Sequence, residues 1–223
     1  MRLGELTSDV PKPLLPVAGR PFVEHQLELL RAHGANRIVL ALGYLGERIE
    51  EHVGDGSRFG LEIRFSYDGP EPAGTAGAVR RALPLLGNEF MVLYGDTYLR
   101  VDYQDVARAF RRSGLPALMT VLRNRDKWAP SNAVYEHGRV IAFDKESPPK
   151  VAEWIDYGLS VFQRSVLEQN PATDLADLAL ELAPQGRLAG YLVHERFYEI
   201  GTPEALAETD AFLSRPAHAR ARS

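Results

Sequence analysis

The sequence predicts an α/β fold: a largely parallel sheet with helices on both faces, extended by a mixed, partly antiparallel section. Residues 38–42 and 90–94 are short, wholly apolar runs, as expected of strands covered on both faces. Segments with apolar residues at helical spacing alternate with them, which argues a sheet with crossover helices. Between Ser131 and Phe162 the strand candidates follow one another through short turns instead.

Each element has a local reason. Residues 1–20 contain Pro11, Pro13 and Pro16 with little periodicity and read as loop. Pro21 suits the first turn of a helix. Phe22, Val23, Gln26, Leu27 and Leu30 then form a stripe at helical spacing that ends near Gly34. After the strand at 38–42, residues 45–53 form a second helix closed by Gly54. Leu61, Ile63 and Phe65 alternate with polar residues, as in a strand with one wetter face. Residues 75–86 read as helix, 90–94 as a second buried strand, 103–112 as helix and 117–122 as strand. In the mixed section, 132–135, 140–143 and 155–162 are strands, with His137-Gly138 as one turn. Helices return at Leu175–Leu182 and Pro203–Leu213, around a strand at Leu188–Val193. One domain over residues 1–215 is expected, with 216–223 a frayed tail.

The 223 residues, 45% hydrophobic and 25% charged, suffice for one α/β domain with a well-buried core. A net charge of −4 makes no electrostatic case for binding nucleic acid. Arg80-Arg81 and Arg111-Arg112 are short clusters and read as solvated helix faces. The absence of cysteine excludes disulfides, thiolate zinc sites and cysteine nucleophiles. No apolar run approaches the ~20 residues of a membrane-spanning helix, and Met1-Arg2-Leu3-Gly4-Glu5 lacks the apolar core of a signal peptide. A soluble cytoplasmic protein is therefore expected, without a membrane partner and with homo-oligomerisation left open. His25, His33, His52, His137, His194 and His218 show no metal-ligand spacing and read as surface or structural.

Four short segments have the residue types of a phosphate- and metal-handling site. Prolines on both sides of Lys12 stiffen its backbone and hold one cation in place, a strong point charge for phosphate, or else simply a surface loop. Glu71-Pro72-Ala73-Gly74-Thr75-Ala76-Gly77 joins a strand to a helix. Its glycines permit close approach of a ligand and its helix-start amides are possible donors, although such turns are also common without any ligand. Asp96 in Tyr94-Gly95-Asp96 follows a buried strand directly, where open α/β sheets bind ligands. Its carboxylate is suited either to Mg²⁺ or to capping the next segment. In Tyr198-Glu199-Ile200-Gly201-Thr202-Pro203-Glu204, Thr202 and Pro203 start a helix in the expected way. Glu199 is left as a second metal carboxylate or an exposed edge residue.

Taken in order, Arg2-Leu3, Pro11-Lys12-Pro13-Leu14-Leu15-Pro16, Gly74-Thr75-Ala76-Gly77, Tyr94-Gly95-Asp96 and Glu199-Ile200-Gly201-Thr202-Pro203-Glu204 resemble the sugar-1-phosphate nucleotidyltransferase (NDP-sugar pyrophosphorylase) family, in its compact single-domain form. The resemblance implies a Rossmann-like mixed sheet flanked by helices, of the nucleotide-diphospho-sugar transferase type. It also implies bound magnesium (Mg²⁺) and a reaction of a nucleoside triphosphate with a sugar 1-phosphate, giving a nucleotide sugar and pyrophosphate. By the same resemblance, Arg2 and Lys12 neutralise the triphosphate, and Gly74, Thr75 and Gly77 lie along base and ribose. Asp96 and Glu199 hold the metal. Lys145 matches the lysine of a Glu-Lys pair at the sugar phosphate, with Asp144 in place of the glutamate. Asp156 and Gly158 line the sugar pocket.

Two departures from the family pattern accompany the match. Its members open with an apolar strand and a Gly-rich loop that runs into the Arg-Leu matched here by Arg2-Leu3. This sequence starts inside that motif, so the first strand and loop, roughly a dozen residues, are expected to be missing through a late start site or a shortened chain. Two apolar strand edges are then left exposed. Glu199 also stands where many relatives carry aspartate. A catalytically silent relative that binds nucleotide sugars or pairs with an active subunit is the main alternative, and transfer to a non-sugar acceptor is another.

Overall fold

A computed structural model describes residues 9–69 and 71–215; the expectations for Arg2-Leu3 and for a tail at 216–223 lie outside these residues. A 3-10 turn at Lys12–Leu14 leads into a hairpin of β1 (Pro16–Val17) and β2 (Arg20–Pro21). Its two turn residues, Ala18 and Gly19, both have positive φ, the twist that tight hairpins require. Helix α1 (Phe22–Ala32) follows, with Pro21 just outside it as N-cap instead of in its first turn. Next come β3 (Arg37–Leu42), α2 (Gly46–Val53), β4 (Glu62–Tyr67) and α3 (Thr75–Ala82). Pro84 tightens the end of α3 into a 3-10 turn at Leu83–Leu85, so the helix expected to reach residue 86 is shorter. The chain continues with β5 (Glu89–Leu93), β6 (Thr97–Tyr98), α4 (Tyr103–Ser113), β7 (Ala117–Arg123), β8 (Ala133–Glu136), β9 (Arg139–Phe143) and β10 (Trp154–Gln163). It closes with α5 (Arg164–Gln169), α6 (Leu175–Leu182), β11 (Leu188–Val193), β12 (Tyr198–Glu199) and α7 (Pro203–Leu213).

Strands β5-β10-β7-β11-β9-β8 form a six-stranded mixed sheet. β11 runs parallel to β7, whereas β10 is antiparallel to both β5 and β7. Alternate residues of β7 face opposite cores, as the pleat dictates. Met119 and Val121 join the cluster with Val79, Leu83, Val166 and Leu178 from α3, the following 3-10 turn, α5 and α6. Leu118 and Leu122 join Val106 and Phe110 of α4. The expected mixed α/β sheet with helices on both faces is thus observed, but it is not largely parallel: β10 inserts antiparallel between β5 and β7, and parallel pairing is confined to β7–β11 and β3–β4 among the described residues.

The sheet is interrupted. β3 pairs in parallel with β4 alone, and β5 pairs with β10 alone, among the described residues. Residues of β3 and β5 line one cavity of about 630 Å³. Both strands were expected to be buried, yet only Leu42 of β3 is buried, and Met91 of β5 is 36% exposed. A strand with a neighbour on one side only leaves its outer edge open, which accounts for the difference.

Candidate functional site

The carboxyl end of β5 turns sharply through Tyr94, Gly95 and Asp96 into β6. The turn is held by donors aimed at its carbonyls: Thr97 donates to Tyr94 O from its amide (3.3 Å) and its hydroxyl (3.1 Å). Gln26 of α1 adds two more bonds, to Tyr94 O at 3.1 Å and Thr97 O at 2.7 Å. Gln26 is buried and was read only as part of an apolar stripe. A polar residue inside that stripe is the signal that identifies it as a positioning residue.

β6 pairs antiparallel with β12, setting Thr97 opposite Glu199. Ile200 N donates to Asp96 O at 3.0 Å. Asp96 and Glu199, far apart in sequence, are thereby placed on adjacent backbone segments at the end of β5. The β12 side is anchored by Thr209 of α7, fully buried, whose hydroxyl donates to Glu199 O at 2.6 Å. Thr202 caps α7 by accepting from Ala205 N at 3.1 Å, as the sequence predicts. Glu199 Oε2 accepts from Gly201 N at 3.1 Å, and a Cβ at Gly201 would come within 2.5 Å of that oxygen. A side chain at 201 would therefore displace the flexible end of Glu199 from this bond. Among the described residues no group of three or more His, Cys, Asp or Glu forms a metal cage. Asp96 and Glu199 supply oxygen donors of the type that Mg²⁺ takes, an ion that keeps several waters.

Lys145 and Asp156 form an ion pair beside this turn, with Nζ and Oδ2 3.1 Å apart. The ammonium also lies 5.2 Å from the centre of the Tyr94 ring. Burial pulls the Lys145 pKa down, but Asp156 and Tyr94 more than offset it, so the net shift is upward and the group is charged at neutral pH. The same burial, with the Asp156 charge, raises the Tyr94 phenol. Asp156 is aimed by a β-bulge: the register of β10 on β7 shifts between Asp156 and Ser160. The buried Thr120 hydroxyl bonds Leu159 O at 2.7 Å within the bulge, and Gly158 adopts φ +99°. Gly158 N donates to Asp156 Oδ1 and Asp156 N to Asn132 Oδ1, both at 2.9 Å. Asp144 behaves differently from its expected partner. Its Oδ1 accepts from Glu146 N and Ser147 N at 2.8 Å each, which makes it a turn cap holding the loop that carries Lys145.

The turn before α3 is also partly re-explained. Its helix-start amides are not available: Ala76 N and Gly77 N donate to Thr173 O at 2.8 and 3.2 Å, and Thr75 N to Asp174 Oδ1 at 3.2 Å. The Thr75 hydroxyl bonds Asp174 and accepts from Leu175 N. Gly74 has φ +73°, and a Cβ there would sit 2.5 Å from Thr173 O. Gly77 would touch Ala73 Cβ at 3.0 Å. The expectation of free amides is corrected; these residues dock the start of α6 onto α3. Asp174, which contributes to the electrostatic surroundings of Tyr94, was missed because its partner lies across the fold. Lys12 is exposed on its 3-10 turn, and no hydrogen bond or ion pair joins it to these groups among the described residues.

An acidic pair at the end of a sheet strand, with an ammonium next to it, suits the handling of phosphorylated substrates. The family model described as "Nucleotidyl transferase" matches residues 1–215, and the chain belongs to that family. Among similar proteins, a UTP–glucose-1-phosphate uridylyltransferase from Synechocystis sp. is 29% identical over 82% of this chain and 52% of its own length. A mannose-1-phosphate guanylyltransferase from Mycobacterium tuberculosis is 29% identical over 96% of this chain and 62% of its own. The chain thus spans little more than half the length of these relatives. A structure of HddC from Yersinia pseudotuberculosis complexed with GMP-PN is 22% identical and superposes with a TM-score of 0.77, covering 95% of this chain and 94% of that one, which shows a shared fold.

Proposed function

We propose that the chain transfers a nucleoside monophosphate from a nucleoside triphosphate to a sugar 1-phosphate and releases pyrophosphate. The observation that supports this reading is the β6–β12 pairing, with Glu199 opposite Thr97 and Ile200 N bonded to Asp96 O, near the Tyr94 turn against which Lys145 and Asp156 pair. Relatives named as uridylyl- and guanylyltransferases of sugar 1-phosphates support it.

In this reading a phosphate oxygen of the sugar phosphate attacks the α-phosphorus in line, one P–O bond forms, and the bond to pyrophosphate breaks. The nucleophile is already an anion, so no general base is needed; catalysis rests on positioning and charge neutralisation. Lys145 holds the sugar phosphate, oriented by Asp156, while Asp156 and Gly158 border the sugar. Asp96 and Glu199 are the residues that would hold Mg²⁺, whose charge serves to neutralise the phosphates. Lys12 and Arg2 serve the triphosphate, and Gly74, Thr75 and Gly77 shape the wall along base and ribose as a docked turn. The expected setting is the cytoplasm.

The test is pyrophosphate release by the purified chain with Mg²⁺, across four nucleoside triphosphates and a panel of sugar 1-phosphates. Turnover dependent on both substrates is expected. The occupied amides of α3 favour a second reading, a catalytically silent relative that binds nucleotide sugars. Nucleotide-sugar binding without pyrophosphate release from any pair would select it.

A further inference from the structure

Asn132, the residue before β8, ties the neighbouring strands together through its amide, its carbonyl and its side-chain oxygen. Its N donates to Trp154 O at 2.8 Å, and its O accepts from Asp144 N at 3.0 Å. Its Oδ1 accepts from Asp156 N at 2.9 Å. That bond fixes the side-chain amide, because a flipped amide would set two donors against each other. Nδ2 is therefore the group turned away from the Asp156 N–H, and it donates to no protein atom among the described residues. Asn132 is only 8% exposed, and a buried donor without an acceptor is costly. It is nevertheless within reach of a ligand: among the described residues only Arg20 Nε is a side-chain atom both enclosed and unbonded.

Asp156 supplies the complementary chemistry. Its Oδ1 accepts from Gly158 N and its Oδ2 faces the Lys145 ammonium, which leaves a lone pair free on each oxygen. A neutral N–H donor next to a carboxylate suits a ligand group that accepts and donates at once, and a hydroxyl does both. A phosphate oxygen in that place would face the like charge of Asp156, whereas Lys145 on the other oxygen offers it a cation. We infer that Asn132 is a specificity-determining residue: its Nδ2 donates to the oxygen of one sugar hydroxyl, whose own hydrogen goes to the Asp156 carboxylate. This rests on the sugar 1-phosphate proposed above as acceptor, and adds that the sugar carries a free hydroxyl where Asn132 reads it. A site built to bond a hydroxyl in this way rejects the analogue that lacks it, because its own polar groups are left unpaired.

The test gives the full 223-residue chain glucose 1-phosphate and mannose 1-phosphate, each also as the analogues that lack one hydroxyl in turn. Loss of one particular hydroxyl is expected to lower kcat/KM at least about thirtyfold in the unaltered chain. Asn132→Asp keeps the volume and the acceptor for Asp156 N but removes the donor. In that variant the same deletion should cost less than about threefold, because the partner is already gone. A residue that merely ties strands together would lower turnover of every analogue alike. An unchanged ratio in the variant, or a native chain indifferent to every hydroxyl, would therefore overturn the inference. Asn132→Ala is read in the same way should Asn132→Asp not fold. In the unaltered chain the Asn132 side-chain NH₂ resonances should shift with the sugar phosphate and not with the analogue that lacks the hydroxyl; unmoved resonances overturn the inference as well. Pyrophosphate release from no pair would sink the proposed reaction alone, and the ratio is then taken from calorimetric Kd values of the same sugar phosphates. Binding of neither sugar phosphate overturns the inference too.

Discussion

Asp96 and Glu199 illustrate how little a carboxylate's role follows from its own neighbours. What distinguishes Asp96 from a helix cap is the backbone bond from Ile200 that brings Glu199 beside it. Asp96→Asn is isosteric and removes one charge of the pair. It should lower Mg²⁺-dependent turnover by about 10²–10³-fold with the circular dichroism spectrum unchanged; retained activity would remove Asp96 from the metal role. Lys145 is set by opposing effects, with burial pulling its pKa down and Asp156 and Tyr94 pulling it up by more. Because the folded value is raised, the pair's stabilisation is complete below the ordinary ammonium pKa and is lost only as pH climbs through the raised one. Around neutrality it is constant. Asp156→Asn leaves burial unopposed by that charge, so the alkaline limb of the kcat/KM profile should move to lower pH. The lost orientation should also reduce the rate, on the order of a hundredfold. An unmoved alkaline limb would show that Lys145 is not the titrating group.

At the scale of elements, helices position the site through single buried polar contacts. α1 reaches the β5 end by the two bonds from Gln26, and α7 holds β12 through Thr209. Gln26→Leu keeps the volume and leaves Thr97 O without that donor. A loss of about 1–3 kcal/mol in urea unfolding is expected, with turnover falling more than substrate affinity because the turn carrying Asp96 loosens. The junction of α3 with α6 depends on a backbone conformation. Gly74→Ala must adopt positive φ and push against Thr173 O, which should cost about 1–3 kcal/mol in the same measurement. A neutral outcome would mean that the 172–175 segment yields freely.

For the whole molecule, stability is expected to be uneven. β7 and β10 are flanked on both sides and fill both cores, whereas β3 and β5 each have one described neighbour. Native-state hydrogen exchange should find amides of Ala117–Arg123 protected at least about a hundredfold more than those of Arg37–Leu42. Equal protection would indicate that the β3–β4 pair opens only with the rest of the sheet. A cavity of about 630 Å³ lies between those two parts and reaches the β5 end at Leu93, Tyr94 and Gly95. It therefore marks a division in the sheet.

Periodicity and end signals in the sequence determined most elements within a residue or two, because apolar spacing, glycines and prolines act locally: Gly34 ends α1, and Thr202-Pro203 starts α7. The short helix α5 and the two-residue strands β6 and β12 were not legible, since two residues carry no period and pair only through distant partners. Among the candidate site residues, Asp96 and Glu199 were nominated from ordered motifs, and Lys145 and Asp156 from the family resemblance. That Asp144 caps a turn, that Thr173 and Asp174 occupy the amides of α3, and that Gln26 and Asn132 orient the site were decided only in three dimensions. The reason is physical: a hydrogen-bonding group is spent on whichever partner the packed chain brings within about 3 Å, and for these groups that partner is settled by the fold.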